Sequence, residues 1–212
     1  MAINPDGSRK AKHTLIIATT GGGKSQAAKN LIPGRGVRFI AFDPEGEHPA
    51  HGIDSFPAFC RELMKADRSG KPYRLAYTGA SKAADFERFC LAVWDVLDGS
   101  KETHILLEEV AQFTASSGPA LEAYGNLLRR GRKYGGIVYT IGQRAAEIPS
   151  TARQQSPVRY VGVLDGESDA KAAAKFADVT AAKLLAIPPD TLTFYRKESG
   201  KPAEIVKFKY KG

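Results

Sequence analysis

Short runs of consecutive apolar residues alternate along this chain with longer stretches whose apolar positions recur every three or four residues. The runs predict buried strands and the periodic stretches predict amphipathic helices. Strands are predicted at 13–18, 37–43, 73–78, 103–108, 137–141 and 158–163. Helices are predicted at 26–31, 56–66, 81–97, 120–134, 168–177 and 181–186. In 81–97 the apolar positions Phe86, Phe89, Cys90, Val93 and Leu97 share one face, Ser81 supplies an N-cap, and Trp94 reads as core. Segments 191–196 and 204–210 alternate apolar with polar around Ser199-Gly-Lys-Pro202, which predicts a terminal hairpin. Strands alternating with helices imply an α/β fold: a mostly parallel sheet flanked by helices, with an antiparallel edge at the C-terminal end.

In such sheets ligands bind beyond the carboxyl ends of the strands. The first strand ends in Ala18-Thr-Thr-Gly-Gly-Gly-Lys-Ser25, followed by a helix. A glycine-rich turn between strand and helix, closed by Gly-Lys-Ser, is a phosphate-binding loop. Glycine lets successive backbone N–H groups converge on phosphate oxygens, and the helix adds its positive dipole end. Thr19, Thr20, Gly21, Gly22, Gly23, Lys24, Ser25 and Gln26 are therefore the expected nucleotide contacts. Lys24 would reach the β- and γ-phosphates, and the Ser25 hydroxyl would sit on Mg²⁺. Ala18 stands where the usual pattern has its first glycine.

The fourth strand ends in Glu108-Glu109. Beside a phosphate loop, Glu108 is assigned to the metal and Glu109 to the attacking water. Adjacent strand residues point to opposite faces, so both acids serve one site only where the strand ends and twists. Gln143 leaves the fifth strand, where its amide would contact the γ-phosphate or the water; a plain polar strand exit is the alternative. The basic stretch Leu127-Leu-Arg-Arg-Gly-Arg-Lys-Tyr134 puts cations at a helix C-terminus, which the helix dipole alone favours. On a helical wheel Arg132 falls near Leu121 and Leu128, Arg129 flanks that face and Arg130 points away. Arg132, then Arg129, is the candidate to act on a phosphate or across a subunit contact, where an arginine from a neighbour would stabilise the transferring phosphoryl group.

Composition refines this picture. The chain has 212 residues, 42% apolar and 25% charged, which suits one globular core. Residues 1–12 form a basic N-terminal arm unlike a secretory signal, and 13–212 read as a single ATPase domain in the cytoplasm. No apolar run has the length of a membrane span. Cys60 and Cys90 lie in separate helical patterns and read as buried thiols. His48 and His51 have no nearby cysteine or second ligand pair and are not read as zinc ligands. The net charge of +8 favours a nucleic-acid partner. Lys201, Lys207, Lys209 and Lys211 fit a phosphate-contacting ridge or a solvated hairpin face.

From about His13 to Pro188 these motifs resemble the FtsK–HerA superfamily of ring-forming DNA-pumping ATPases. Ala18–Ser25 is similar to its Walker A motif and 105–109 to Walker B. Asp43-Pro-Glu-Gly-Glu47 resembles the turn after the second strand of HerA-type members. The basic stretch 129–135, the strand after it and Gln143-Arg144 resemble the arginine helix and strand-end glutamine, and Glu147-Ile-Pro149 continues the pattern. Glu108 stands where aspartate is usual. The chain's size resembles the genome-packaging ATPases of tailless icosahedral viruses with an internal membrane. That resemblance implies ATP and Mg²⁺, a homo-oligomeric ring (hexamer or pentamer) threading double-stranded DNA, a capsid vertex or portal partner, and a place in the host cytoplasm or at a virion vertex. A filamentous-phage or conjugation-type ATPase moving single-stranded DNA, a small-molecule or nucleoside kinase, and a nucleotide-gated binding protein are the competing readings.

Overall fold

A computed structural model describes residues 1–114 and 117–211. The strands are β1 Thr14–Ile17, β2 Arg38–Phe42, β3 His51–Ile53, β4 Tyr73–Tyr77, β5 Thr103–Leu107, β6 Gly136–Gly142, β7 Val158–Val161, β8 Thr193–Glu198 and β9 Glu204–Lys207. They form one sheet in the order β3-β4-β2-β5-β6-β1-β7-β8-β9. Strands β3 to β7 pair in parallel, and β8 and β9 complete the edge antiparallel. The helices are α1 Lys24–Leu31, α2 Phe56–Arg68, α3 Ala83–Asp95, α4 Val110–Phe113, α5 Glu122–Arg130, α6 Ser150–Gln155, α7 Glu167–Ala177 and α8 Ala181–Leu185.

Each central strand is buried on both sides, so its apolar residues alternate between two cores. Leu15, Ile17, Ile40, Phe42, Ile105 and Leu107 face the larger one, built with residues of α2, α3, α5 and α7. Ile16, Phe39, Ala41 and Leu106 face the smaller one, whose helical cover comes from α1. On that thinner face the Arg74 guanidinium lies 4.0 Å from the Phe39 ring centre, and His104 stacks on Tyr139. Phe194 and Phe208 fill the space between the hairpin and the sheet.

The chain beyond β9 turns back along α1. The Gln26 side-chain amide makes two hydrogen bonds with the Lys211 backbone, at 3.0 and 2.8 Å. Asn30 donates to the Lys209 carbonyl at 2.7 Å, and the Lys211 ammonium caps the Lys29 carbonyl at 2.9 Å. Gln26, expected to touch nucleotide, thus spends its amide on the tail while still lining the cleft described below. Lys211 is a helix cap, Lys201 pairs with Glu198, and Lys207 and Lys209 are exposed.

The helix predicted at 120–134 is α5 followed by a 3₁₀ turn, Gly131–Tyr134. The 3.6-residue wheel therefore stops at Arg130 and does not place Arg132. Ser81 does not cap α3. The Asp85 carboxylate instead accepts the backbone N–H groups of Ser81 and Lys82, at 3.0 and 3.2 Å. Trp94 packs against the core, with the Arg130 guanidinium over its ring. Cys90 is buried, Cys60 half-buried, and both are free thiols. The basic arm 1–12 lies along the body: Ile3 bridges to Asp98, Arg9 donates to the Gly99 carbonyl, and Lys12 pairs with Glu102.

His13, just before β1, is 1% exposed, and its Nδ1 accepts the Val138 N–H at 3.1 Å. Burial pushes its pKa down to about 4; a hydrogen bond to the Leu128 backbone opposes the fall, and the nearby Arg132 charge adds to it. The folded-state pKa is below the unfolded value near 6.5, so this stability is complete above about pH 6.5 and is lost as pH falls toward 4. From pH 7 to 4 the loss is about 3 kcal/mol. Asn at position 13 keeps an acceptor without the titrating base. Urea unfolding should therefore show wild type losing about 3 kcal/mol more than His13→Asn over that interval; equal losses would refute the assignment.

Candidate nucleotide site

The strand order places the predicted motifs side by side. Strand β6 lies between β1 and β5, so Gln143 emerges between the phosphate loop and Glu108-Glu109. Strand β2 borders β5 on the other side, which brings the turn after Asp43 to Glu108. A single cleft is lined by Thr20, Gly21, Gly23, Lys24, Ser25, Gln26, Asp43, Glu45, Glu47, Glu108, Glu109 and Gln143.

The loop is shaped by what its glycines lack. A Cβ on Gly22 would stand 2.9 Å from both the Ala18 Cβ and the Thr19 carbonyl oxygen. Ala18 is thus accommodated because Gly22 has no side chain. Gly23 has φ 85°, and a Cβ there would meet Leu192 at 2.5 Å. The Lys24 ammonium rests on the Thr19 carbonyl at 3.1 Å, and Lys24 is 8% exposed. Thr19 donates its hydroxyl to Asp165.

Glu109 occupies the left-handed region, φ 48° and ψ 40°. This turn ends the strand's alternation and lets two consecutive acids line one cleft, at a cost of order 1 kcal/mol for a non-glycine residue. Gln143 spans the opening. Its Nε2 donates to the Glu109 carboxylate oxygens at 3.1 and 3.2 Å, and its Oε1 accepts the Thr20 hydroxyl at 3.0 Å. Arg144, next in the chain, pairs with Asp169 and Glu147, at 3.0 and 2.9 Å.

The turn after β2 completes the cleft. Asp43 is fully buried and accepts the backbone N–H groups of Glu47 and His48, at 3.1 and 2.9 Å. Glu47 accepts the Ser25 hydroxyl. The His48 Nε2 lies 2.5 Å from the Glu108 Oε1, with both side chains buried. Burial raises the Glu108 pKa, with the bond to His48 opposing that rise. Ser25, Glu47 and Glu108 supply the hard oxygen donors that Mg²⁺ takes, so the residues present fit that ion. The contact of His48 with Glu108 is not visible in motif spacing, since 60 residues separate the two.

Neither arginine candidate lines the cleft. Arg132 is half-buried and donates to the carbonyls of Gly7 and Arg9, holding the N-terminal arm. Arg129 is exposed and folds back over Gly125, where an added Cβ would lie 2.6 Å from its guanidinium.

No protein-family model matches the chain. It is 28% identical over 195 residues to Protein P9 of Pseudoalteromonas phage PM2, covering 91% of this chain and 88% of the phage protein. Its fold matches the genome packaging NTPase B204 of Sulfolobus turreted icosahedral virus 2 in complex with AMPPCP. That match has a TM-score of 0.73 and 15% identity, over 95% of this chain and 99% of B204. It also matches the bacterial conjugative coupling protein TrwBΔN70, with a TM-score of 0.65 and 14% identity over 94% of this chain and 85% of TrwB. The resemblance to P-loop ATPases of the FtsK–HerA kind, and among them to viral genome-packaging ATPases, is borne out. Among the described residues no helix is long and apolar enough to cross a membrane.

Proposed function

We propose that this chain is an ATPase that translocates double-stranded DNA as a homo-oligomeric ring, packaging a viral genome. The observation that carries the reading is the bridge Thr20–Gln143–Glu109, which joins the phosphate loop to the water-positioning acid in one cleft. Packaging and coupling proteins share this fold, B204 was captured with AMPPCP, and a charge of +8 suits a phosphate-lined track.

In this reading the loop N–H groups and the N-terminus of α1 receive the triphosphate. Lys24 exchanges the Thr19 carbonyl for phosphate oxygens. Bound Mg²⁺, held by Ser25 and Glu108, would neutralise phosphate charge. Glu109 orients a water and takes its proton as the water oxygen bonds to the γ-phosphorus. The bond to the bridging oxygen breaks, leaving ADP and phosphate. Gln143 loses or remakes its bonds as the γ-phosphate comes and goes, and passes that change to Arg144 and α7. Arg132 or Arg129 of a neighbouring protomer would stabilise the transferring phosphoryl group, at a vertex or portal of the capsid in the host cytoplasm or virion.

Steady-state ATPase assays with double- and single-stranded DNA test the proposal, alongside the mass of the assembly with AMPPCP. Stimulation by duplex and a ring-sized mass are expected. A monomer indifferent to DNA would refute the proposal. Stimulation by single strands alone would favour the second reading, a conjugation-type motor, to which the likeness to TrwB gives support.

A further inference from the structure

We infer that Glu47, His48 and Glu108 form a divalent-cation site with one nitrogen donor, which takes Mn²⁺ without nucleotide and prefers it to Mg²⁺ through His48. Their ligand atoms, two carboxylate oxygens and an imidazole nitrogen, all lie within 4.8 Å of one another. The His48 and Glu108 side chains are only 2% and 7% exposed. Burial of this kind shields the donors from water, which otherwise competes for the cation.

The chemistry of the donors sets the preference. Mg²⁺ seeks oxygen in near-ideal octahedral geometry and keeps several waters. Imidazole suits later divalent ions better, and Mn²⁺ accepts mixed carboxylate and nitrogen sets. His48 adds to the carboxylates a nitrogen donor that Mg²⁺, a hard oxygen-seeking ion, takes poorly.

The hydroxyl of the loop reaches this triad. Ser25 is the loop residue whose oxygen belongs on a metal, and its hydroxyl is bonded to Glu47. The triad is therefore continuous with the loop's own metal-binding oxygen and does not stand alone on the surface. Behind it the buried Asp43 carboxylate accepts the backbone N–H groups of Glu47 and His48 and fixes the turn that carries them.

The inference rests on reading the cleft as a metal–nucleotide site, yet its test needs no nucleotide. Mn²⁺ is titrated into the full chain and free ion is followed by electron paramagnetic resonance; pulsed spectra of the bound ion report ¹⁴N coupling. One bound Mn²⁺ with imidazole ¹⁴N modulation is expected, resisting about a tenfold excess of Mg²⁺. In His48→Gln the modulation disappears and Mn²⁺ affinity falls about tenfold or more, the loss typical of a disturbed metal site. Glu47→Gln, at an exposed position, is the companion variant should His48→Gln fail to fold; it weakens Mn²⁺ while keeping the modulation. Bound Mn²⁺ without ¹⁴N coupling, unchanged affinity in a folded His48→Gln, or displacement by equimolar Mg²⁺ would overturn the inference, leaving His48 and Glu108 as a hydrogen-bonded pair. AMPPCP binding in the presence of EDTA is measured separately. Its absence would count against the ATPase reading while leaving the Mn²⁺ result intact.

Discussion

Glu109→Gln will hydrolyse ATP at least about a hundredfold more slowly than the wild type while binding AMPPCP within about threefold of it. The substitution is nearly isosteric. It leaves an oxygen for the Gln143 Nε2, which now donates to both carboxylate oxygens at 3.1 and 3.2 Å. What it removes is the capacity to take a proton from water, a contribution of about 10²–10⁴ in rate. The phosphate loop, Lys24 and Ser25 are untouched, so ground-state binding persists. Single-turnover hydrolysis and equilibrium binding, measured on the same preparation, separate the two effects. Turnover within tenfold of wild type would remove Glu109 from the chemistry. A parallel collapse of binding would mean that its part is structural. A protein that only switches on nucleotide, without turnover, predicts no change in partner binding on this substitution.

Phe42→Ala will destabilise the fold by about 3–5 kcal/mol in urea unfolding, the range for emptying a buried aromatic site. Phe42 is fully buried at the end of β2, where its ring meets Phe113, Phe86 and Phe89 edge-on with centroids 4.9, 5.1 and 5.3 Å away. These rings come from two separate helices, α3 and α4, so no single side chain can move to refill the space. The cavity would also lie under the cleft. The Phe42 carbonyl accepts the Glu108 N–H at 3.0 Å, and Asp43 follows directly in the chain. Loss of less than about 1.5 kcal/mol would show that the aromatic cluster relaxes into the void.

Much of this was legible because strands buried on both faces read as unbroken apolar runs, and a phosphate loop carries its mechanism in its residues. The short β3 escapes notice: three residues give no period, and two of them are exposed. Helix α4 is a single turn started by the left-handed Glu109, a backbone choice no spacing announces. Gln143 was legible as a strand-end amide, but its bond to Thr20 depends on β6 being inserted between β1 and β5. Ligand spacing along the sequence does not reveal His48, which lies 60 residues from Glu108. Its partner arrives from β5 through sheet order, and the one local cue was Asp43, whose carboxylate gathers the N–H groups four and five residues on. A helical wheel misplaces Arg132, because the α-helix ends at Arg130 and the chain tightens from Gly131.

The tail on α1 has a mechanical consequence. Four hydrogen bonds tether the helix that begins at Lys24 to residues 209 and 211, and so to the β8–β9 edge of the sheet. A pull on that rim is delivered to α1 directly, bypassing the large aromatic core. If the proposed ATPase shifts α1 as nucleotide comes and goes, these bonds carry that shift out to the rim.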